Sequence, residues 1–498
     1  QVIAVLEAVA PLSAHWLQLV QFTAHYYQRS LGEVAMAALP PQLRDLTPVQ
    51  LARRFKKQVT PPETLDTALQ SPWPLSEQQA EVLSQMAEAS GPFLLHGATG
   101  SGKTEVYLQA VARCLAEDPN AQALMMVPEI NLTPQLEERV KARFGDAGVV
   151  SMHSGMTGPQ RLKSWLAAHQ GSARIVLGTR MSIFASMPHL KWIVVDEEHD
   201  ASYKQQEGAR YSARDLAIYR ARLEGAKVIL GSATPSLESW HHSRPSAEGG
   251  RYLRLPMPAR IGAGQLPFVR RVDMNHQPRK TVLSAPLMAA IQERVAKGEQ
   301  SMLLLNRRGY APVLHCADCG WKSECSHCSA FRVFHKIDRT LRCHHCGFTE
   351  RVPRACPACG NADIAPMGRG TEQLEEHLAE LLVDVKRPNG NPVKVMRIDA
   401  DSTKLKGSLE AQLAGVHSGE VDVLVGTQMI AKGHDFRRIT LVAAINPDGA
   451  LFSSDFRAPE RLFALLMQAG GRAGRDAEQS ASSEMWVQTF HPSHPLFE

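Results

Sequence analysis

No stretch of about 18 uninterrupted apolar residues occurs in the 498-residue chain, so no helix is expected to span a membrane. The run Val2–Val20 is apolar in places, but Glu7, Pro11, His15 and Gln18 interrupt it. It also lacks the basic start and small-residue cleavage site of a signal peptide, and a pair of buried helices is the expectation. Outside the window Cys316–Cys359 there is a single cysteine, Cys114. It shares helical spacing with Tyr107, Val111 and Leu115, which makes it a core residue. A second P-loop is missing, which argues against two independent nucleotide sites. No metal-dependent nuclease constellation is present. The first residue is Gln1, not Met, so the chain is expected to continue upstream.

What is present suits a large α/β protein. With 44% hydrophobic and 21% charged residues, the chain has material for about three or four domains. A net charge of +5 permits a nucleic-acid partner without indicating one.

The eight residues Gly97-Ala98-Thr99-Gly100-Ser101-Gly102-Lys103-Thr104 fill every fixed position of G-x-x-x-x-G-K-[ST]. The apolar run Phe93-Leu94-Leu95 reads as a strand entering the loop, and the spacing of Tyr107, Val111 and Leu115 reads as a helix leaving it. Glycines let backbone N–H groups curl round a polyphosphate, and the helix N-terminus adds partial positive charge. Lys103 reaches the β/γ-phosphates, and Thr104 is placed to ligate Mg²⁺. A chance glycine-rich turn would not carry both flanks. The chain is expected to bind a nucleoside triphosphate.

A second constellation says what is done with it. The strand Trp192-Ile193-Val194-Val195 ends in Asp196-Glu197-Glu198-His199. Alone, such a cluster would be a solvated turn. Downstream of a P-loop, Asp196 is placed to hold Mg²⁺ and Glu197 to orient or deprotonate the attacking water. Hydrolysis, rather than binding alone, is expected.

Eight of the nine cysteines form four C-x-x-C pairs: Cys316/Cys319, Cys325/Cys328, Cys343/Cys346 and Cys356/Cys359. Two such knuckles complete a tetrahedral S₄ site suited to Zn²⁺, so two structural zincs per chain are expected. Disulfides and a redox dithiol fit poorly beside an ATPase signature, while an iron–sulfur cluster stays open. The gaps between pairs are five, fourteen and nine residues. Five is too short for the usual ribbon and fourteen is close to it. The expectation is therefore nesting: Cys325, Cys328, Cys343 and Cys346 hold an inner zinc, and Cys316, Cys319, Cys356 and Cys359 an outer one.

Along the chain, the first ~70 residues read as helical and then Pro-rich, an accessory piece and a linker. From Leu75 short apolar strands alternate with helices: Phe93–Leu95, Ala123–Val127, Ile175–Leu177, Trp192–Val195 and Val228–Leu230. Right-handed crossovers make that a parallel sheet. The stretch Gly249–Gln277 breaks the rhythm and reads as a connector. The rhythm returns at Met302–Leu305, Val393–Ile398, Val421–Val425, Leu441–Ile445 and Trp486–Gln488, with the cysteine window inserted after the first of these strands. Two α/β units with one P-loop imply a cleft closing on nucleotide.

The remaining motifs carry a resemblance. Gln79, in Leu75-Ser76-Glu77-Gln78-Gln79, lies where superfamily 2 helicases place an adenine-reading glutamine. Val127-Pro128-Glu129-Ile130, Leu177-Gly178-Thr179-Arg180 and Gly231-Ser232-Ala233-Thr234 each follow a strand. The run Gly426–Asp435 (GTQMIAKGHD) looks like motif V and Gln468–Arg475 (QAGGRAGR) like motif VI. Each alone is weak, but together and in order they resemble that superfamily's core. Within it, VPEINLTPQ (127–135), DEEHDASYKQQEGARYSARD (196–215), LLLNRRGYAPVLHCADCGWKSEC (303–325), GRGTEQLEE (368–376) and GTQMIAKGHDF (426–436) resemble the PriA family of bacterial primosomal replication-restart helicases. The resemblance covers roughly residues 20–498. Most of that family's N-terminal domain, all but ~30 residues of a winged helix, and its C-terminal domain have no counterpart here.

The resemblance implies an α/β fold class. Two RecA-like parallel-sheet lobes carry a cysteine-rich double zinc-binding module inserted in the second lobe, plus a partial N-terminal accessory region. The implied boundaries are 1–42, end of an N-terminal DNA-binding domain; 43–72, winged-helix remnant and linker; 73–265, lobe 1; 266–312, first part of lobe 2; 313–362, zinc module; 363–498, remainder of lobe 2. It further implies that Gln79 meets adenine and that Arg472 and Arg475 act as arginine fingers, surface ion-pairing being the blander reading. Thr179, Arg180, Thr427 and Lys432 would grip DNA phosphates. The segment Ser202–Tyr211 resembles the family's aromatic-rich DNA-sensing loop, with Tyr203 and Tyr211 stacking on bases and Lys204 and Arg210 meeting phosphates. Ala209 stands where a tryptophan is common, and an ordinary polar loop is the alternative. Implied partners are forked and single-stranded DNA, single-stranded-DNA-binding protein and other primosome proteins, in a bacterial, nucleoid-associated cytoplasmic setting, with ATP, Mg²⁺ and 3′-to-5′ movement. Two competing readings are a zinc-ribbon scaffold with a vestigial ATPase, and an RNA-directed or nuclease-linked translocase.

Overall fold

Strands buried on both faces send alternate side chains into two cores, and the first α/β unit is built this way. In the computed structural model, Leu94, Leu124, Met126, Val176, Ile193, Val195, Val228 and Leu230 line one core. Phe93, Leu95, Ala123, Met125, Ile175, Leu177, Val194 and Ile229 line the other. The described residues are 7, 9–43, 46–55, 74–128, 134–145, 148–260, 266–278, 281–305, 313–316, 318–328, 331–335, 338–343, 346–366, 371–398, 408–427, 430, 436, 438–452, 455–474 and 483–497. The chain divides into two units, residues 1–259 and 260–498.

The first unit's strands are β1 (Phe93–Gly97), β2 (Gln122–Met126), β3 (Val149–Met152), β4 (Ile175–Gly178), β5 (Leu190–Asp196), β6 (Lys227–Ser232) and β7 (Leu253–Met257). They form one sheet in the order β3-β4-β2-β5-β6-β1-β7, parallel at every pairing. Helices Glu77–Glu88 and Lys103–Glu117 pack on the second core. The first of these is started by a capping box, Ser76 and Gln79 bonding each other's backbone N–H.

The N-terminal helices Ala14–Tyr26 and Leu31–Ala38 are part of this unit. Trp16, Leu19, Val20 and Val34 are buried in the first core beside Trp165 and Phe184. The Trp16 indole N–H donates to the Phe184 carbonyl at 2.8 Å, and the Phe22 ring stacks on Tyr219 at 3.7 Å between centroids. Helix Pro48–Phe55 adds Leu51 to the same core. The expected boundary near residue 73 is thus not a boundary of packing. Each large buried side chain contributes about 1.5–3 kcal/mol, enough to hold these helices as a layer of the unit.

The second unit repeats the plan. Strands β8 (Phe268–Asp273), β9 (Gln300–Leu305), then β15 (Val395–Ile398), β16 (Val423–Gly426), β17 (Ile439–Ile445) and β18 (Glu484–Thr489) form a parallel sheet ordered β15-β16-β9-β17-β18-β8. Between β9 and β15 lie short antiparallel pieces: β10 (Leu314–Cys316), β11 (Val333–His335), β12 (Thr340–Arg342), β13 (Thr349–Arg351) and β14 (Ile364–Pro366). β10 pairs β14, and β11, β12 and β13 form a three-stranded sheet.

The stretch Gly249–Gln277, expected to be a connector, instead supplies β7 to the first sheet and β8 to the second. Both are edge strands. An edge strand needs no continuous apolar run, and β8 carries the exposed Arg270 and Arg271. Among the described residues, no helix is long and apolar enough to cross a membrane.

Candidate active site and metal centres

β1 delivers the chain to a loop that only glycines allow. Gly100 and Gly102 have φ +86° and +84°, in the left-handed region that side chains rarely adopt. Gly102 is also the N-cap of helix Lys103–Glu117, with no side-chain cap bond. That leaves backbone N–H groups and the positive helix end for an anionic ligand. Lys103 is 9% exposed, and its ammonium donates to the Gly97 and Ala98 carbonyls at 2.9 and 3.3 Å. It folds over the loop it serves. The Ser101 N–H closes the turn on the Ala98 carbonyl at 3.0 Å. Gln79 is buried, its amide oxygen accepting from the Ser76 N–H at 2.9 Å and its amide nitrogen donating to the Gly102 carbonyl at 3.1 Å. The expected adenine reader is thus tied to the phosphate loop.

Asp196 ends β5, one strand removed from β1 in the sheet. Its carboxylate accepts from the Tyr107 hydroxyl at 3.1 Å. Burial, then the neighbouring Glu197 charge, push its pKa up to about 6, against the lowering pull of Lys103. Two crowded acids with hard oxygen donors, reached from the loop's helix by Tyr107, have the chemistry that suits Mg²⁺. Glu197 has φ +46°, a strained backbone for a non-glycine residue. The turn is fixed by Glu198 N–H to the Gly231 carbonyl at 3.0 Å and Asp200 N–H to the Glu197 carbonyl at 2.8 Å.

Several contributors escaped sequence reasoning. Tyr107, four residues past Lys103, braces Asp196, and Gly231 must be glycine because a Cβ there would strike the Tyr107 hydroxyl. His199 Nδ1 lies 2.7 Å from Ser232 Oγ and 3.5 Å from the Glu197 carboxylate, joining the acidic motif to Gly231-Ser232-Ala233-Thr234. Glu198 is 1% exposed. It accepts from the Ser236 N–H (2.6 Å), the Ser236 and Ser239 hydroxyls (3.0 and 2.9 Å) and Arg214 (3.4 Å). Arg214 also bonds Asp215 at 2.8 Å. The only advance signal was Glu198's place between two motif residues. Replacing it strands several buried donors, so Glu198→Ala should cost on the order of 2–4 kcal/mol, read by urea unfolding. A loss within 0.5 kcal/mol would mean the network is not holding the motifs together.

The expected DNA-sensing segment partly rearranges its expected roles. Tyr203, expected to stack on bases, is 2% exposed. Its hydroxyl lies 2.6 Å from the Asp196 carbonyl and 3.0 Å from the Met126 carbonyl, so it anchors the segment beneath the acidic motif instead. Arg180 donates to the Ser202 and Lys204 carbonyls at 2.7 and 3.3 Å and clasps the segment from inside. Tyr211 is half-buried, edge-on to Phe184 at 5.0 Å; burial raises its pKa, against the Arg180 charge. Lys204 and Arg210 are exposed. Thr179 and Thr427 are both buried, at the C-terminal ends of β4 and β16. In the second unit Arg472 is 9% exposed, just past helix Ala458–Gly470. The Arg260 guanidinium holds that turn through the Gly471 and Ala473 carbonyls at 3.2 and 3.3 Å. Arg475 and Lys432 lie outside the described residues.

The cysteines assemble as nesting requires. Cys316, Cys319, Cys356 and Cys359 form one group and Cys325, Cys328, Cys343 and Cys346 the other, ligand atoms within 4.8 Å of one another. Cross-knuckle sulfur distances are 3.6, 3.5, 3.6 and 3.4 Å, near the ~3.8 Å edge of a tetrahedron with Zn–S bonds of about 2.3 Å. The thiolate set fits zinc. The β10–β14 pair carries the outer group, and the three-stranded sheet the inner one. Gly320, Gly347 and Gly360, each just past a C-x-x-C pair, have φ of +75°, +79° and +77°. Each donates its N–H to the pair's first cysteine carbonyl at 3.0, 2.9 and 2.8 Å. This C-x-x-C-G signature was readable in the sequence and strengthens the metal assignment.

Comparisons with known proteins agree with this geometry. A DEAD/DEAH box helicase family model matches residues 76–242, a PriA DNA helicase Cys-rich region domain residues 325–351, and a helicase conserved C-terminal domain residues 368–477. The chain is 45% identical over 424 residues to replication restart protein PriA of Haemophilus influenzae, covering 85% of this chain and 56% of that protein. To PriA of Bacillus subtilis it is 41% identical over 431 residues, covering 85% and 51%. To PriA of Treponema pallidum it is 35% identical over 497 residues, covering 99% and 71%. The chain spans about half the length of the first two of these relatives. Among solved structures, the DUF1998 helicase MrfA bound to DNA shares the fold, with TM-score 0.52, 14% identity, and 86% of this chain and 51% of that one covered.

Proposed function

Since the chain belongs to the PriA family of replication restart proteins, we propose that it is an ATP-dependent DNA helicase. On this reading it moves 3′ to 5′ along single-stranded DNA, recognises forked or branched DNA, and begins replication restart by primosome assembly in the bacterial cytoplasm. The observation that carries the reading is the uncapped helix start at Lys103, set beside the Asp196–Glu197 turn of the same sheet and braced to it through Tyr107. On this reading, that arrangement would bring a nucleotide's phosphates and a water within reach of one another. Backbone N–H groups and Lys103 would orient the phosphates, Glu197 would take the proton from water, and Gln79 would register the base side. Bound Mg²⁺, held by Thr104 and Asp196, would offset the phosphate charge. We propose that Arg472 and Arg475 add charge stabilisation, and that Thr427 and Lys432 join Thr179 and Arg180 in contacting DNA phosphates through main chain and side chain. The zinc module would engage DNA or partners, including single-stranded-DNA-binding protein, without touching ATP.

The test is ATP turnover with single-stranded DNA, RNA and forked DNA, together with unwinding of forks. Stimulation by DNA and fork unwinding are expected. Turnover indifferent to DNA would return the scaffold reading, and preference for RNA the RNA-directed one.

The segment 202–211 is proposed as the DNA sensor. Arg210, exposed and held at φ +47°, is its clearest phosphate contact, so Arg210→Ala should lower DNA-stimulated turnover about threefold or more and leave the DNA-free rate alone. Tyr203→Ala should lower both rates, because it removes support from Asp196. Wild-type stimulation in Arg210→Ala would remove the sensor role.

A further inference from the structure

A loop between two anchors moves only as its anchors permit. The upstream anchor of the sensing segment is Tyr203. Its downstream anchor is Ser212, whose N–H donates to the Tyr27 hydroxyl at 2.9 Å. Between them a short antiparallel contact, Lys204 to Ser212, and the Gln205 N–H to Tyr211 carbonyl bond at 2.8 Å fold the segment on itself. Its tip turns through Gly208 at φ +60° and Arg210 at φ +47°. Tyr27 touches the segment twice, since the Lys204 ammonium sits over its ring at 5.0 Å.

Tyr27 is a firm post. It follows helix Ala14–Tyr26, its N–H on the Thr23 carbonyl at 3.0 Å, and that helix is locked by the Trp16–Phe184 bond and the Phe22–Tyr219 stack. Ser212 is the N-cap of helix Ala213–Glu224. Two residues on, Arg214 reaches Glu198, which adjoins Glu197. A shift at Ser212 therefore bears directly on the acidic motif.

We infer that Tyr27 is a positioning residue that holds the sensing segment in its resting posture, so that the N-terminal helices set how strongly DNA is needed to stimulate ATP turnover. This rests on the reading of 202–211 as the sensor. In the resting posture Lys204 lies on Tyr27, and DNA phosphates must draw it away while the Ser212 N–H keeps or loses its acceptor. The hydroxyl resists that change, and removing it lowers the resistance.

Tyr27→Phe keeps the ring and removes only the hydroxyl, and with it the acceptor of the Ser212 N–H. The DNA-free rate should rise roughly two- to tenfold, the range expected from losing one net hydrogen bond. The half-stimulating DNA concentration should fall by a similar factor, with the rate at saturating DNA unchanged. Trypsin should cut DNA-free Tyr27→Phe protein faster after Arg210. Arg210→Ala, measured alongside, separates the two claims. If Arg210→Ala loses stimulation while Tyr27→Phe keeps the wild-type DNA-free rate and half-stimulating concentration, the Tyr27 role is overturned and the sensor stands. If neither variant changes anything, both fall. A lowered melting temperature with reduced rates at every DNA concentration would reduce Tyr27 to a structural support and overturn the inference.

Discussion

Lys103→Ala is expected to abolish ATP hydrolysis and fork unwinding while leaving DNA binding intact. The ammonium is the one buried cation the loop itself supplies, and it rests on the Gly97 and Ala98 carbonyls. A charged phosphate oxygen is a stronger acceptor than either carbonyl, so nucleotide can draw the ammonium to itself. Losing a preorganised charge aimed at developing negative charge costs on the order of 10²-fold or more in turnover. The alanine shortens a side chain whose stem packs near Gly97, but the glycines at positions 100 and 102 keep their φ values and the loop its shape. DNA contacts proposed at Thr179, Arg180 and Arg210 do not involve it. Steady-state hydrolysis, fork unwinding and a DNA-binding titration together make the check. Unwinding at the wild-type rate would overturn the nucleotide assignment, and loss of DNA binding as well would show that the substitution had disturbed the fold.

What the sequence made legible, and what it hid, follow from where each signal lives. The ten strands expected from apolar runs are all present; nine are central parallel strands, which are buried on both faces and must be apolar throughout, and the tenth is the edge strand β15. The edge strands β3, β7 and β8 were hidden, since a strand paired on one side tolerates Ser151, Pro256, Arg270 and Arg271. Motif residues that act through the backbone, such as Gly100 and Gly102, were readable because only glycine adopts their φ. Tyr203 was misread because its neighbours Lys204, Gln205 and Gln206 are polar. A single aromatic side chain can turn inward from a polar loop, and no periodicity reports it. Glu198 was hidden for the complementary reason: its partners Ser236, Ser239 and Arg214 are distant in sequence and chemically ordinary. The N-terminal residues read as helical, and Ser13 and Ser30 cap the helices that form, but the sequence did not report the unit they would pack on. Long-range packing between two amphipathic surfaces leaves no local mark.

Metal analysis should find two zincs per chain, and the identity of each quartet can be tested by pairing substitutions. Cys325→Ser should release one zinc, and adding Cys343→Ser should release no more, because both sulfurs belong to one quartet. Combining Cys325→Ser with Cys356→Ser should release both. Structural zinc contributes on the order of 10 kcal/mol or more to the folding of such small modules. The three-residue strands β11, β12 and β13 bury too little surface to persist without it. Loss of the inner metal should therefore unfold that ribbon while the parallel sheets, with their own cores, remain. Because both quartets belong to the second unit while the P-loop and the Asp196 turn belong to the first, ATP hydrolysis should survive Cys325→Ser better than fork unwinding does. A wild-type count of zero or one zinc would defeat the eight-ligand assignment. A count that falls from two to zero in Cys325→Ser alone would show instead that the two quartets fold as one unit, the outer ribbon depending on the inner ribbon it encloses.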